Sequence, residues 1–514
     1  MRKKITVVAV AAAVIAPLTQ LPAATTALSS PPDRLEDVNT ASFRADVTTS
    51  GVLEHERVFQ RIANQNEGIR ASGTEGYDAS ARYVKRTLEN AGYRVRKQVF
   101  TFPFFRELAP AEVQQLDPTP QAYETATFTY SGSGEVTGPL VPTKDVLIPP
   151  PAVPGSTSGC EPSDFEPAPS EPAVALIQRG TCFFEDKARN AEEAGYDAVI
   201  IFNEGQPGRT DLLTGTLGRP FDIPVVGLSF ADGRSLYNQT QSGEVTMRVF
   251  TSTETDLNRK TSNILATSTG GNPDDTFVVG AHLDSVIAGP GINDNGSGSS
   301  AILEIAQQLA EYDKPLRQRV RFAFWGAEEL GLIGSEHYVN SISNKNLNSI
   351  FANLNFDMVG SPNYVRFVYD GDGSDTDPAG PAGSGQIEEV FTSYFDSQGL
   401  ASDPTPFSGR SDYGPFIAVG IPAGGLFTGA EGIKTPEQAA EYGGTAGVAY
   451  DPCYHQACDT FANVSVNAIT EMSDAAADAV LTLARTRTGF FDDGSFRSPQ
   501  KSGRSVHHGH ALVR

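Results

Sequence analysis

The chain is short of positive charge: 39 lysines and arginines stand against 62 aspartates and glutamates, a formal net charge of −23 over 514 residues. That deficit excludes nucleic acid as a partner and favours solubility outside a cell. Long apolar runs are equally scarce. The one near the start, Ile5–Leu18, is shorter than the ~20 residues needed to cross a bilayer, and no second run follows, so no membrane span is expected. Arg2-Lys3-Lys4 precedes that run and Pro22-Ala23-Ala24 follows it, the charged, apolar and small-residue order of a secretory signal peptide, assigned here to residues 1–27. The mature protein is therefore expected to be secreted. There are only four cysteines. In an exported chain they read as two disulfides; three pairings are possible, and proximity favours Cys160–Cys182 and Cys453–Cys458.

Residues 28–54 are polar, with Ser-Ser-Pro-Pro at 29–32, and are expected to be extended. Tyr77, Ala81, Val84, Leu88 and Ala91 recur at helical spacing before Gly92, and Tyr93–Phe102 alternates as a strand does. Between Pro103 and Pro172 lie 14 of the 34 prolines, a density that excludes long helices and predicts loops and short edge strands. From residue 262 onward strands alternate with helices: a strand at Thr276–Ala281, a helix at Ser299–Tyr312, then strands at Arg319–Trp325, Ile350–Asp357, Val365–Tyr369 and Gly424–Thr428. This alternation predicts an α/β fold with a mostly parallel central sheet flanked by helices. Ligands of such sheets gather at the carboxyl ends of the strands.

Five short segments carry the chemistry: His282-Leu-Asp284, the loop Gly291-Ile-Asn-Asp294-Asn-Gly, Glu328-Glu329, Asp357, and His455 within Cys453-Tyr-His-Gln-Ala-Cys458. Two imidazoles and three carboxylates from separate loops are what two zinc ions sharing one carboxylate require. His282 and Asp284 point to the same side of an extended segment, so Asp284 is expected to accept a hydrogen bond from the His282 ring. Cys453, His455 and Cys458 lack the fourth ligand of a structural zinc site, which favours a disulfide bracketing His455. The acidic stretch Asp370–Asp377 lacks the glycine and glutamate that an EF-hand loop has at its sixth and twelfth places, so structural calcium has no identifiable ligands here. His55 and His337 match no ligand position and are expected to be structural or surface residues. The last residues, 487–514, are rich in Gly, Ser and Arg and read as a flexible tail.

With these motifs the chain resembles the di-zinc exopeptidases that include secreted bacterial leucyl aminopeptidases, aminopeptidase S and aminopeptidase Y. The likeness spans roughly residues 55–102 and 257–486. The succession Val174–Phe184, Lys187–Gly195, Ala198–Asn203 and Ile223–Gly227 resembles a β-rich protease-associated domain inserted at 120–255. Residues 28–119 and 256–486 are then the two parts of the peptidase domain. The resemblance implies two zinc ions held by His282, Asp294, Glu329, Asp357 and His455, with Asp294 bridging through an Asp294–Asn295 peptide bond in the cis form. It makes Glu328 the general base and Tyr454 the donor to the developing oxyanion. It places the backbone at Arg410 beside the substrate amine, and Met358 and Phe427 along a pocket for a large apolar side chain. The expected substrates are peptide and protein N-termini, acted on by a monomer. Carboxypeptidases and glutaminyl cyclases share this fold and are the alternative reactions.

Overall fold

The apolar runs Phe277-Val-Val and Phe322-Ala-Phe-Trp325 leave no wet face, which suits strands covered on both sides. In the computed structural model they lie at the centre of the peptidase part of one sheet. Its order runs Asp403–Thr405, Phe367–Tyr369, Ala423–Phe427, Ile350–Phe356, Asn272–His282, Gln318–Trp325 and Thr246–Thr267. The four strands from Ala423–Phe427 to Gln318–Trp325 pair in parallel. The structure describes residues 38–169, 172–487, 489–491 and 494–496. The signal peptide expected at 1–27 and residues 497–514 of the expected tail lie outside the described residues, while at the start of that tail Phe490 and Phe491 are buried in the main core instead of being free.

Helices cover both faces. Thr49–Gln65, Glu75–Asn90, Gly298–Glu311, Ser384–Gln398 and Val466–Arg485 bury Phe59, Val84, Ile302, Phe391 and Val480 in the main core. On the other side Ile333–Ser341 and Gly414–Ala418 pack Tyr338, Val339 and Phe416 around Trp325. The helix predicted from Tyr77 to Ala91 is present, and the Thr74 side chain accepts the Tyr77 N–H as its cap.

The sequence expectation fails at two further places. Residues 28–54 are not all extended: helices occupy Ala41–Asp46 and Thr49–Gln65, because Phe43, Val52, Leu53 and Phe59 turn into the core and Thr48 caps the second helix. The proline-dense region also holds a long strand. Arg94–Asp117 pairs antiparallel with Thr246–Thr267 over most of its length. Pro103 and Pro110 sit at register shifts, where no ladder N–H is required of them.

That two-stranded ribbon runs out of the peptidase sheet into a smaller unit. There the strands Gly134–Pro142, Val174–Gln178, Ala198–Phe202 and Val225–Leu228 pair in parallel, flanked by helices Phe184–Glu193 and Phe230–Thr240. Val113 and Val249 of the ribbon belong to this unit's core. The disulfides are Cys160–Cys182 and Cys453–Cys458, the pairing favoured by proximity.

Asn263 ties the ribbon to the loop that follows Trp325. Fully buried, it donates to the Gly334 carbonyl at 2.8 Å and to Gln98 at 3.1 Å, and accepts the Gly326 N–H at 3.1 Å. Asn263→Ala strands these buried groups, so it is expected to cost about 2–4 kcal/mol in urea denaturation. A loss below about 0.5 kcal/mol, the range of an unremarkable surface change, contradicts this role.

Candidate active site

Each candidate side chain leaves the end of a strand or a turn that the sequence makes sharp. His282 is the last residue of its strand, and Asp357 directly follows Ile350–Phe356. Glu328 and Glu329 follow Gln318–Trp325 through Ala327, which is left-handed at φ 56°. Asp294 sits at a kink in the turn Ile292–Ser297, with the non-helical dihedrals φ −104° and ψ 94°; the turn is entered through Gly291 at φ 61°, and the peptide bond from Asp294 to Asn295 is cis. Met358 and His455 are also left-handed, both at φ 57°. Non-glycine residues in that region are uncommon and mark segments fixed by their surroundings.

The structure brings all five predicted ligands together. His282 Nε2 lies 3.2 Å from an Asp294 oxygen and 3.2 Å from an Asp357 oxygen. His455 Nε2 lies 3.2 Å from the other Asp294 oxygen and 3.0 Å from Glu329. Asp294 thus faces one histidine with each oxygen. Glu328 lies 3.9 Å from His282 Nε2. Asp284 differs from expectation: His282 Nδ1 donates to the Asp284 backbone carbonyl at 3.1 Å, while the nearer carboxylate oxygen is 3.8 Å away. The chain turns right after the strand, bringing the carbonyl closer. The Asp284 carboxylate accepts the Glu328 N–H instead, at 3.3 Å.

Several residues that hold these groups were not singled out from the sequence. Arg70 is fully buried and donates to the carbonyls of Leu283, Pro290 and Gly291, fastening the loop between His282 and Asp294. Asp459 accepts the N–H groups of Asn293 and Asp294. Asn295 accepts from Met358 N and donates to the Phe356 carbonyl, joining the Asp294 turn to the Asp357 strand. Ser411 donates to Asp357, and the neighbouring Asp412 is buried with neither oxygen hydrogen-bonded; Ser335, which faces it, gives its hydroxyl to the Leu332 carbonyl. Asn293 and Asn295 adjoin Asp294, Asp459 adjoins Cys458, and Ser411 and Asp412 follow Arg410, so each stood beside a candidate without being one; Arg70 and Ser335 had no such neighbour.

Charge dominates the site. Burial, with the charges of Asp357, Asp412 and Glu329, raises Glu328 well above the ordinary carboxylate range. Burial and the Asp294 charge push Glu329 to about 7, and burial pushes Asp284 to about 6 and Asp412 to about 8. Burial lowers His455, yet hydrogen bonds to Asp294 and Glu329 outweigh it and push the imidazole up to about 10. Burial likewise opposes protonation of His282, and the Asp357 and Glu328 charges overcome it. So many acids beside two imidazoles call for cations, and one buried oxygen of Glu329 has no hydrogen-bond partner. A donor set of imidazole nitrogens and carboxylates without thiolate fits zinc.

The remaining candidates line a cleft of about 420 Å³ beside these ligands. Met358 and Phe427 form part of its wall, as expected, together with Phe367, Tyr369 and Tyr450. Phe427 stacks on Phe367 at 6.0 Å, and Tyr450 meets Phe367 edge-on at 5.3 Å. Tyr454 stacks on His455 at 3.8 Å. Away from the cleft, His55 bonds Tyr83 at 2.6 Å and His337 stacks on Phe100, so both histidines serve packing. Asp370, in the stretch weighed for calcium, already accepts from Gly373, Ser374, Asp375 and Thr376.

Protonation of these groups contributes to the stability of the metal-free protein. Glu328, Glu329, Asp284, Asp412, His282 and His455 all hold protons more tightly folded than unfolded. Their contributions are full below the unfolded values and are lost as pH rises through the folded ones. Asp294 is held low and acts oppositely, but only in acid below the ordinary aspartate range. Chelated protein is therefore expected to melt at lower temperature as pH rises from about 5 to about 8, with zinc flattening the slope. A chelated protein whose melting temperature rises over that interval contradicts the account.

Comparison with known proteins gives the family. Residues 263–480 match the model of peptidase family M28, and residues 136–236 match the PA domain. An aminopeptidase of Pseudomonas aeruginosa is 46% identical over 463 residues, covering 88% of this chain and 84% of that protein. Leucine aminopeptidase 2 of Trichophyton rubrum is 47% identical over 337 residues, covering 65% of this chain and 66% of the relative. A zinc aminopeptidase from Bacillus subtilis has a similar structure, with a TM-score of 0.57 and 26% identity over 87% of this chain and 97% of that one. The chain belongs to peptidase family M28, as a metallo-aminopeptidase with a PA domain.

Proposed function

We propose that the protein is a secreted aminopeptidase that holds two zinc ions and prefers large apolar N-terminal residues. One observation carries the two-metal reading: the Asp294 oxygens face different histidines, each at 3.2 Å, and each histidine has a further carboxylate close by. His282 with Asp357 would hold one ion and His455 with Glu329 the other, Asp294 serving both. Bound zinc supplies Lewis-acid chemistry, acidifying water and polarising a carbonyl. Glu328 takes the proton of the attacking water and returns it to the departing amine. Cations bound beside it would keep this buried carboxylate ionised, ready to accept a proton and hand it on. The Tyr454 hydroxyl donates to the oxygen of the tetrahedral intermediate. Glu328 and Asp357 face the free amine, with the backbone at Arg410 nearby, so a blocked N-terminus fits poorly. Secretion is supported by the charged and apolar order of residues 2–18 and by two disulfides.

Glu328→Gln keeps the shape of the site and deletes the proton carrier. It is expected to retain zinc while losing about 10²–10⁴-fold in kcat, as general-base loss does. Glu329→Gln should instead lower the zinc content by elemental analysis. Near-normal turnover in the first variant removes Glu328 from the role.

The cleft wall of Met358, Phe367, Phe427 and Tyr450 is apolar. Leucyl anilide buries about three more carbons than alanyl anilide, worth about 2 kcal/mol, so its kcat/KM is expected to be roughly 30-fold higher. N-acetyl-leucyl anilide should not be cleaved. A preference for lysyl or glutamyl anilide refutes the apolar pocket, and cleavage of the acetylated substrate refutes the exopeptidase reading.

A further inference from the structure

The side chain of Arg410 does something that its expected backbone contact does not explain. Its Nη1 lies 2.6 Å from Glu431 Oε1, and its Nη2 donates to the Tyr454 hydroxyl at 3.1 Å. The guanidinium carbon stands 6.0 Å from the centre of the Tyr454 ring. On either side of Arg410 the segment is pinned: Gly409, left-handed at φ 78°, donates to the Tyr413 hydroxyl at 3.0 Å, and Ser411 donates to Asp357. Tyr454, by contrast, belongs to a short loop whose His455, Gln456, Ala457 and Cys458 are exposed. Among the described residues, Arg410 gives the Tyr454 hydroxyl its one hydrogen bond.

We propose that Arg410, braced by Glu431, is a positioning residue that orients the Tyr454 hydroxyl for the oxyanion. This rests on the donor role of Tyr454 proposed above. A phenol oxygen has one proton to give. When its lone pair accepts from a cation, that proton must point elsewhere, and the open direction is the cleft that both residues line. A hydroxyl that accepts a charge-assisted bond also becomes a stronger donor, because hydrogen bonds in series polarise one another. A donor to an oxyanion must be preorganised at the place where charge develops; the disulfide and the stack on His455 hold the loop and the ring, and the guanidinium fixes the direction of the hydroxyl itself. Glu431 holds the second nitrogen, which keeps the fork from swinging into solvent. As an ion pair alone this contact would do little: both side chains are about half exposed, 45% and 55%, and exposed pairs contribute about 0–1 kcal/mol.

The test is steady-state kinetics on leucyl anilide with the zinc-loaded enzyme, comparing Arg410→Met, Arg410→Lys, Glu431→Gln, Tyr454→Phe and the Arg410→Met/Tyr454→Phe double variant. Zinc content and melting temperature are measured alongside. Losing one oxyanion donor typically costs about 10²–10³-fold in kcat, so Tyr454→Phe should fall in that range and Arg410→Met about 10- to 100-fold. KM should stay within about threefold, since the contact matters in the transition state. Arg410→Lys should recover part of the loss, and Glu431→Gln should give a smaller loss in the same direction. In the Tyr454→Phe background, Arg410→Met should change kcat by less than about twofold, the mark of two residues acting as one unit. An equal loss from Arg410→Met with and without the tyrosine hydroxyl overturns the inference while leaving the role of Tyr454 intact. Near-normal kcat in Tyr454→Phe alone overturns that role as well.

Discussion

Everything in the cleft depends on one constraint: acids buried this close together cannot all be ionised without cations. Asp284, Asp294, Glu328, Glu329, Asp357 and Asp412 gather around two imidazoles, and the buried permanent cation nearest them is Arg70. Arg70 gives its hydrogen bonds to backbone carbonyls rather than to any of these acids. Unpaired buried charge costs several kcal/mol per group, so the site has to take up protons or metal. The fold is arranged to supply the acids in pairs. Strand ends deliver His282 and Asp357 to one side with Glu328 beside them, Glu329 meets His455 on the other, and Asp294 stands between with one oxygen towards each histidine.

Holding that arrangement takes a layer of groups that never meet substrate. Arg70, Asn293, Asn295 and Asp459 stitch the Asp294 turn to the His282 loop, the Asp357 strand and the disulfide loop. The backbone around them is unusual where it must be, with Ala327, Met358 and His455 all left-handed. The Cys453–Cys458 bridge closes the loop that carries both Tyr454 and His455, and Asp459 extends its grip directly to the Asp294 turn. One short segment therefore couples the His455 imidazole, a phenol beside the cleft and the central carboxylate.

Much of this was legible in the sequence because its signals are local. His282, Glu328-Glu329 and Asp357 stand where apolar strands end, and the α/β alternation that placed them there is plain from residue 262 onward. Asp294 and its asparagine neighbours sit together in one glycine-rich loop. What stayed hidden depends on contacts across long separations: Arg70 meets the site loop more than 200 residues away, and Ser411 reaches back to Asp357. The helix at Ala41–Asp46 was missed because its polar surroundings mask Phe43, which becomes apolar packing only when the last long helix closes over it. Proline density suggested loops and short edge strands between Pro103 and Pro172, but Pro103 and Pro110 occupy bulges and a long strand continues past them to Asp117. Asp284 was placed correctly on the face of His282, yet a turn of the chain gave the imidazole a carbonyl in place of the carboxylate.

The central claim is that this carboxylate cluster is a two-zinc site with Asp294 shared between the ions. Anomalous diffraction at the zinc edge from crystals of the zinc-loaded protein tests it directly. Two peaks of full occupancy are expected, one between His282 and Asp357 and one between Glu329 and His455, with the Asp294 carboxylate between them. A single peak, or a second peak lying away from Asp294, would contradict the account.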